Sequence, residues 1–403
     1  MAKPESAAGM LKSELAALSS HLYAYALACA VPAGGALAVD RDAFAEQVTA
    51  RIEAHPGIEL VREEARDLAD LAGRFDAVIV ASGPLTSDDL AEDLSALTGV
   101  DHLAFFDAAA PVVMADSLDY SKLFRQSRYE KAAGGRQGDY LNAPFSREEY
   151  EAFVEVLVSA ERVIERDFES RDLFQACQPI EEIARTGRDA PRFGALKPIG
   201  LTDPRTGRRP WAALQLRAEN AHVTSFNLVG FQTNLRFGEQ ERVFRMIPGL
   251  EHAEFARFGV MHRNTFVDAP RLLGPDLRLR TPNAEALPAP VYIAGQLGGT
   301  EGYCEAIRSG LHGALCAAAR LRGLPIPLPP IESAFGALVS YATDPETADY
   351  QPMHVNMGIM VPLEQRVKNK AERYAAYAAR AAEALTEYCA RLSDVGLLPV
   401  GER

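Results

Sequence analysis

The chain has 403 residues, of which 48% are hydrophobic, and its formal charge at pH 7 is −13. No run of about eighteen apolar residues occurs, so we expect no membrane-spanning helix and no membrane partner. The negative charge argues weakly against a nucleic-acid partner. The 5 cysteines form no CxxC pair, which argues against a disulfide framework or a metal site and favours a reducing, cytoplasmic location.

The first hundred residues alternate between helical and extended patterns. An amphipathic helix is expected near the N-terminus, followed within residues 34–68 by a strand, a helix capped by Asp40 or Asp42, and a second strand. A buried strand at residues 77–81 precedes a Gly-Pro turn and a helix that begins around Ser87 and Asp88. This alternation indicates a parallel α/β sheet of two or three layers.

From about residue 101 the pattern changes. A helix is predicted over residues 147–165, and the alternating segments PWAALQLRAE and SFNLVGFQT indicate antiparallel strands. The parallel-sheet pattern resumes at Val291. We therefore expect one domain formed by residues 1–100 and 290–403, interrupted by an insertion domain at 101–289.

A local excess of positive charge lies inside the predicted insertion. Between Ile183 and Arg217 the chain has 8 basic and 2 acidic residues. This segment is either a patch that faces a polyanion or an ordinary solvated surface, and both interpretations stay open.

Residues 291–323 read as a strand, a glycine turn and a long helix. The turn contains Gly295, Gly298, Gly299 and Gly302. Such a turn directs backbone N–H groups and a helix N-terminus at an anion, usually a phosphate. The alternative is a glycine turn that only packs the helix against the sheet.

The segment FQACQPIEEIARTGRDAPRFGALKPIGL contains the most informative cysteine. Pro179 suits the first position of a helix and Gln178 its cap, which places Cys177 just outside a helix N-terminus. The positive end of the helix favours a thiolate there, although acidic residues in the first turn oppose it. The alternative is a small buried cysteine without a chemical role.

Together with these two segments, several others resemble the folate- and flavin-dependent tRNA (uracil-5-)-methyltransferases. They are SRYEK, DYLNAPF, NLVGFQTNLRFGEQERVFRMIPGLEHAEFARFGVMHRNTF and the glycine turn with its Glu301 and Tyr303. The resemblance covers essentially the whole chain, and the glucose-inhibited-division-type flavoproteins are related in architecture. It implies an α/β fold: a glutathione-reductase-like, Rossmann-type FAD-binding domain, N-terminally truncated and interrupted by an α+β insertion domain.

The resemblance also implies that a first part of the flavin domain is missing. Members of this family begin with a strand, a GxGxxG turn and a helix, followed by a Cys-Ser-Asn-Ser motif and a helix that resembles SAAGMLKSELAAL. Either the reading frame begins upstream of Met1 or the gene is truncated. The undisturbed pattern of the remaining chain favours the first explanation.

What the resemblance implies for chemistry is methylation of uridine C5 in the tRNA T loop. FAD, 5,10-methylenetetrahydrofolate as one-carbon donor, and NADH or NADPH as reductant are the expected cofactors. Cys177 matches one of the two cysteines of the family, and a thiolate that adds at uracil C6 activates C5. The family's NCP reads NAP here, with Ala143 in place of a third cysteine.

The remaining site residues are also inferred from the resemblance. Gly295, Gly298, Gly299, Thr300, Glu301 and Gly302 match a flavin contact. His262 and Asn264 are candidates for the folate and flavin, with His354 a weaker choice. Arg128, Lys131, Arg185 and Lys197 are candidates for tRNA phosphate, each with an ordinary surface role as the alternative.

Two further hypotheses of function stay open. One is a non-catalytic remnant that binds RNA or a partner protein without FAD, and the other is the same chemistry on a ribosomal RNA uridine. A flavin dehydrogenase for small metabolites is the least favoured, because nothing in the sequence offers it a substrate site.

Overall fold

A computed structural model describes residues 3–99, 103–128, 138–163, 178–347 and 350–398. In chain order the helices are α1 (Ala7–Ala17), α2 (His21–Ala28), α3 (Arg41–Glu53), α4 (Leu68–Arg74), α5 (Asp88–Thr98), α6 (Arg147–Ser159), α7 (Ile180–Thr186), α8 (Ala190–Phe193), α9 (Phe237–Phe244), α10 (Ala269–Leu272), α11 (Pro282–Glu285), α12 (Tyr303–Leu321), α13 (Ala334–Ala342) and α14 (Lys370–Asp394). The strands are β1 (Ala30–Val31), β2 (Ala38–Val39), β3 (Val78–Val80), β4 (Leu103–Ala108), β5 (Val112–Met114), β6 (Phe124–Arg125), β7 (Leu141–Phe145), β8 (Ala212–Ala218), β9 (Ser225–Leu228), β10 (Phe255–Arg257), β11 (Met261–Phe266) and β12 (Val291–Ile293). Over these ranges, none of the helices combines the length and the apolar character that a membrane crossing requires.

The chain forms two compact units. Unit 1 consists of Met1–Ala28, Gln47–Ala104 and Asn264–Arg403, and unit 2 of Cys29–Glu46 and Phe105–Arg263. The expected insertion at 101–289 overlaps unit 2. Unit 2 also takes in a short segment near the N-terminus that the sequence pattern assigned to the first domain.

Unit 1 carries the parallel strand pairing that the sequence predicts. β12 pairs in parallel with β3, with Val291 opposite Val78 and Ile293 opposite Val80. Helix α5 begins at Asp88 with Ser87 as its N-cap residue, as predicted. The expected N-terminal helix is present as α1 and gives way to α2 after Ser19, where φ is 54°. The expected second strand is wrong, because residues 54–67 contain none.

A group of charged and polar side chains is buried beneath α12. The Arg308 guanidinium is fully buried over the Phe335 ring, with its carbon 4.5 Å from the ring centroid, and Nε lies 3.7 Å from the Glu14 carboxylate of α1. Burial raises the pKa of Glu14. One turn along α12, burial and the charge of Arg308 lower the pKa of His312 to about 4, and a ring nitrogen lies 2.8 Å from the carbonyl oxygen of Pro275.

Unit 2 is built on a six-stranded sheet in the order β10-β5-β9-β8-β7-β6, and its strand pairings are antiparallel. Both strands predicted from alternating segments are present as β8 and β9. Every residue of β7 is buried, and Phe153 and Leu157 of α6 belong to the same hydrophobic core. Helix α6 begins at Arg147 as predicted, behind a reciprocal cap between Ser146 and Glu149, but it ends at Ser159.

Candidate functional site

The glycine turn of unit 1 lies where two parallel strands end. β3 and β12 run in the same direction, so the segments that follow Val80 and Ile293 leave the sheet at the same edge. In open α/β sheets, ligands bind outside this carboxyl edge. The position of the turn therefore agrees with a ligand site.

Internal hydrogen bonds close the turn on itself. The Gly295 N–H donates to Ser309 Oγ at 2.9 Å, and the Thr300 hydroxyl donates to the Gly295 carbonyl oxygen at 2.8 Å. The Gln296 amide donates to the Glu301 carboxylate at 2.8 Å. Thr300 and Glu301 are thus held in the wall of the turn.

Three of the glycines are required by backbone conformation. Gly295, Gly299 and Gly302 have φ values of 73°, 78° and 103°, in the region that favours glycine. A Cβ atom at Gly299 would also collide with the hydroxyl group of Tyr350. At Gly298, a Cβ atom would lie 3.2 Å from the carbonyl oxygen of Ile293. Much of the glycine pattern therefore serves the close packing of the turn itself.

A later segment of the chain fixes the turn from one side, and the sequence analysis missed it. The Glu301 N–H donates to the Met353 carbonyl oxygen at 3.0 Å, and the Met353 N–H donates to the Gly299 carbonyl oxygen at 3.1 Å. The Val355 N–H donates to Glu305 Oε1 at 3.1 Å. His354 lies on this segment with an exposed side chain. In the sequence this segment is the motif QPMHVNMG, whose one candidate residue is His354.

The N-terminus of α12 leaves backbone donors available. Among the described residues, no acceptor is present for the N–H groups of Gly302, Tyr303 and Cys304, and no side chain caps this end. Glu305 is buried, burial raises the pKa of its carboxyl group, and that group bonds its own N–H and the Val355 N–H. Three N–H groups at the positive end of a 19-residue helix suit a phosphate group. The turn therefore fits the pyrophosphate or ribityl part of a flavin nucleotide.

Asn264 belongs to a segment that joins the two turns at this edge. The Thr265 N–H donates to the Pro84 carbonyl oxygen at 2.8 Å, and the Val267 N–H donates to the Leu297 carbonyl oxygen at 2.9 Å. Asn264 itself is buried, with 3% of its surface exposed. His262, the other folate candidate, lies two residues earlier on β11, is half-buried and belongs to unit 2.

In unit 2, a buried carboxyl group stands out that the sequence analysis treated only as a first-turn acid. Oε1 of Glu181 accepts a hydrogen bond from the Asn234 N–H at 2.5 Å, and Oε2 accepts one from the Thr233 hydroxyl at 3.0 Å. Burial is the main cause that raises its pKa to about 7, with a further contribution from Glu182. No local sequence signal identifies this carboxyl group, because its partners Thr233 and Asn234 lie more than fifty residues later in the chain.

The start of α7 corrects the predicted cap. The helix begins at Ile180 and its N-cap residue is Pro179, so Gln178 lies one position further out than expected. Proline suits the start of a helix because its φ is fixed and it has no N–H group that would need an acceptor. Cys177 and Lys131 lie outside the described residues.

The remaining basic candidates are engaged with the protein backbone. Arg128 donates to the Lys197 carbonyl oxygen at 2.8 Å, which brings these two residues together. Arg185 of α7 donates to the Val158 carbonyl oxygen at 2.7 Å, and its Nε lies 3.9 Å from the Glu182 carboxylate. The first contact joins two loops and the second joins α7 to α6. A role of the same residues in binding RNA stays a prediction.

Comparisons with known proteins bear on the same regions. The family model described as glucose inhibited division protein A matches residues 2–325. A protein of Moorella thermoacetica named methylenetetrahydrofolate–tRNA-(uracil-5-)-methyltransferase TrmFO is 51% identical over 379 residues, 94% of this chain and 84% of the relative. A protein of the same name from Geobacter sulfurreducens is 53% identical over 369 residues, 92% of this chain and 82% of the relative.

Solved structures are similar in fold. The structure of Aquifex aeolicus GidA in the form I crystal has a TM-score of 0.66 and 16% identity, covering 95% of this chain and 68% of that one. The form II crystal of the same protein gives a TM-score of 0.64 and 14% identity, covering 95% of this chain and 66% of the other. This likeness shows a Rossmann-type α/β architecture.

Proposed function

Because the chain belongs to the methylenetetrahydrofolate–tRNA-(uracil-5-)-methyltransferase family, within the wider GidA family of flavoproteins, we propose that it methylates C5 of a uridine in the T loop of tRNA. FAD and a folate one-carbon donor are the cofactors, and NADH or NADPH is the proposed reductant. The observation that carries the proposal is the glycine turn at the carboxyl edge of β3 and β12, combined with about 50% identity to the relatives over most of the chain.

The turn from Gly295 to Gly302 is the proposed flavin contact. The three available N–H groups at the start of α12, those of Gly302, Tyr303 and Cys304, would bind a phosphate of the nucleotide, and the bonds of Thr300 and Glu301 keep the wall of the turn rigid. The flavin and the folate supply the one-carbon unit and the electrons that convert it into a methyl group. Asn264 reaches the same edge and is the better supported of the two folate candidates.

Cys177 is the proposed nucleophile. Its thiolate adds to C6 of the uracil ring, the electron pair of the C5–C6 double bond moves toward C5, and C5 becomes nucleophilic. After C5 has been alkylated, a base removes the C5 proton and the C6–S bond breaks, which restores the ring.

Glu181 is the proposed positioning residue for this cysteine. It follows Cys177 by four residues and ties the first turn of α7 to Thr233 and Asn234 through two hydrogen bonds. Since both partners are buried, the start of α7 has little freedom to move. This fixed helix start, close to Cys177 in sequence, is the ground for the proposed role of Glu181.

The test uses the purified chain, an unmodified tRNA transcript, NADH or NADPH as reductant, and methylenetetrahydrofolate labelled in the transferred carbon. We expect the visible absorption bands of oxidised flavin in the protein, and labelled 5-methyluridine in the tRNA. Cys177→Ala should abolish product formation while the flavin bands stay. Labelling of a ribosomal RNA transcript in preference to tRNA would contradict the proposed substrate. If neither RNA became labelled, the proposed activity would be contradicted.

A further inference from the structure

A groove on unit 2 is lined by four basic and two acidic side chains and reaches the cap of α6 at Ser146 and Glu149. It encloses about 750 Å³, and its lining includes Lys122, Arg205, Arg208, Arg209 and Trp211. The whole chain is strongly acidic, with a net charge of −13, so a groove with this lining is not what average composition predicts.

A rigid turn presents two arginines at the rim of the groove. The Asp203 N–H donates to the Arg208 carbonyl oxygen at 2.9 Å, and the Gly207 N–H donates to the Asp203 carbonyl oxygen at 2.8 Å, with a φ of 67° at Gly207. The nearly buried Asp203 carboxylate is occupied by Arg205, whose Nη2 lies 2.7 Å away. The charge of Arg205 is therefore neutralised within the turn.

Arg208 and Arg209 differ from their neighbours. Both side chains are exposed, and neither has a carboxylate partner among the described residues. Lys122 in the same groove is already paired with Glu251 at 2.6 Å. The uncompensated positive charge of the groove thus comes from Arg208 and Arg209, which are adjacent in the hydrogen-bonded turn.

An aromatic wall stands next to these arginines. The guanidinium carbon of Arg192 lies 3.7 Å from the centroid of the Trp211 ring, and Arg192 Nε donates to the Trp211 carbonyl oxygen at 3.0 Å. The indole N–H of Trp211 is buried and has no acceptor within the described part of the chain. The fixed ring lines the same groove as the two exposed guanidinium groups, which suit phosphate oxygens as acceptors.

We propose that this groove binds the sugar–phosphate backbone of tRNA, with Arg208 and Arg209 on phosphate groups. The proposal rests on the function proposed above. Guanidinium groups bind phosphate through paired, charge-assisted hydrogen bonds, and these contacts position an RNA without reading its sequence. Each contact releases condensed counterions, so it has a measurable signature in the salt dependence of binding.

The experiment compares tRNA binding by the unaltered chain, by R208Q/R209Q and by R41Q/R51Q, which removes the same charge from exposed positions of α3. Filter binding of a labelled tRNA transcript is measured at several salt concentrations. We expect R208Q/R209Q to bind about tenfold more weakly, with a slope of log K against log salt that is less steep by about two. R41Q/R51Q should match the unaltered chain. Equal affinity and slope for all three proteins would overturn the proposal.

A second measurement uses Trp211, the only tryptophan of the chain. Because it lines the groove, tRNA should change its fluorescence in the unaltered chain, and R208Q/R209Q should need a correspondingly higher tRNA concentration for the same change. Binding of tRNA that leaves this fluorescence unchanged would contradict the proposal. Polyglutamate serves as a polyanion without phosphate groups, and the proposal would also fail if R208Q/R209Q lost affinity for polyglutamate but not for tRNA. If the unaltered chain neither binds nor methylates tRNA, the proposed function itself fails.

Discussion

Glu181 should make unit 2 less stable as the pH rises toward neutrality. The side chain is fully buried, and its pKa is raised from 4.5 to about 7, mainly because burial penalises the carboxylate. The folded chain therefore holds the proton more tightly than the unfolded chain. The contribution of protonated Glu181 to the free energy of unfolding is complete below about pH 4.5 and is lost as the pH rises through about 7. A difference of about 2.5 pKa units corresponds to about 3 kcal/mol in the free energy of unfolding.

The substitution Glu181→Gln tests this reasoning. Glutamine cannot ionise, and its carbonyl oxygen can still accept from the Asn234 N–H while the Thr233 hydroxyl turns to accept from its amide. We expect the free energy of unfolding of unit 2 to change little between about pH 5 and 8 in this variant, while it falls by up to about 3 kcal/mol in the unaltered chain.

The assay is urea unfolding at pH 5, 6, 7 and 8, followed by the fluorescence of Trp211. Trp211 is the only tryptophan and lies in unit 2, so the signal reports the unit that contains Glu181. Glu155→Gln, at an exposed position of α6, controls for the loss of one carboxylate. The reasoning is refuted if Glu181→Gln and the unaltered chain lose stability in parallel as the pH rises, at equal denaturant slopes.

Three further predictions follow from particular side chains. Gly299→Ala should lower the stability of unit 1 by more than about 2 kcal/mol and reduce the flavin bound per chain, because φ is 78° and the new Cβ atom meets a tyrosine hydroxyl; Gly310→Ala, in open space within α12, is the matched control and should retain flavin. His312 should stay neutral in the folded chain down to about pH 4, so that acidification from about pH 6.5 weakens unit 1; a ring proton in the NMR spectrum that titrates near 6.5 would contradict this. Ser146→Ala should cost unit 2 about 1 kcal/mol in urea unfolding, because the reciprocal cap of α6 loses one of its two bonds; an unchanged midpoint would mean that the cap contributes nothing.

The parts of the fold that local patterns specify could be predicted from the sequence. The glycine turn, α12 and the parallel pairing of β12 follow from a short apolar strand, glycines and a long amphipathic helix. The starts of α5 and α6 follow from the serines at their N-cap positions, Ser87 and Ser146. The Ser146 side chain caps its helix, whereas the Ser87 side chain makes no cap bond. Each of these signals lies within a few residues of the feature that it specifies.

The parts that depend on contacts far apart in the chain could not be predicted. Glu181 becomes a buried acid only because Thr233 and Asn234, more than fifty residues later, close over it. The break of the first helix at Ser19 and the entry of Cys29–Glu46 into unit 2 have no strong local signal. Tertiary packing decides such features, and periodicity in a single sequence does not record it.

The bonds that join the glycine turn to Met353, and the start of α12 to Val355, have a consequence for how the protein is made. The turn leaves the ribosome about fifty residues before the segment that clamps it, so the nascent chain carries an unfastened turn for part of its synthesis. A nucleotide that arrives in this interval meets the proposed flavin site without one of its walls. Capture of the flavin is therefore expected late, after Val355 has emerged.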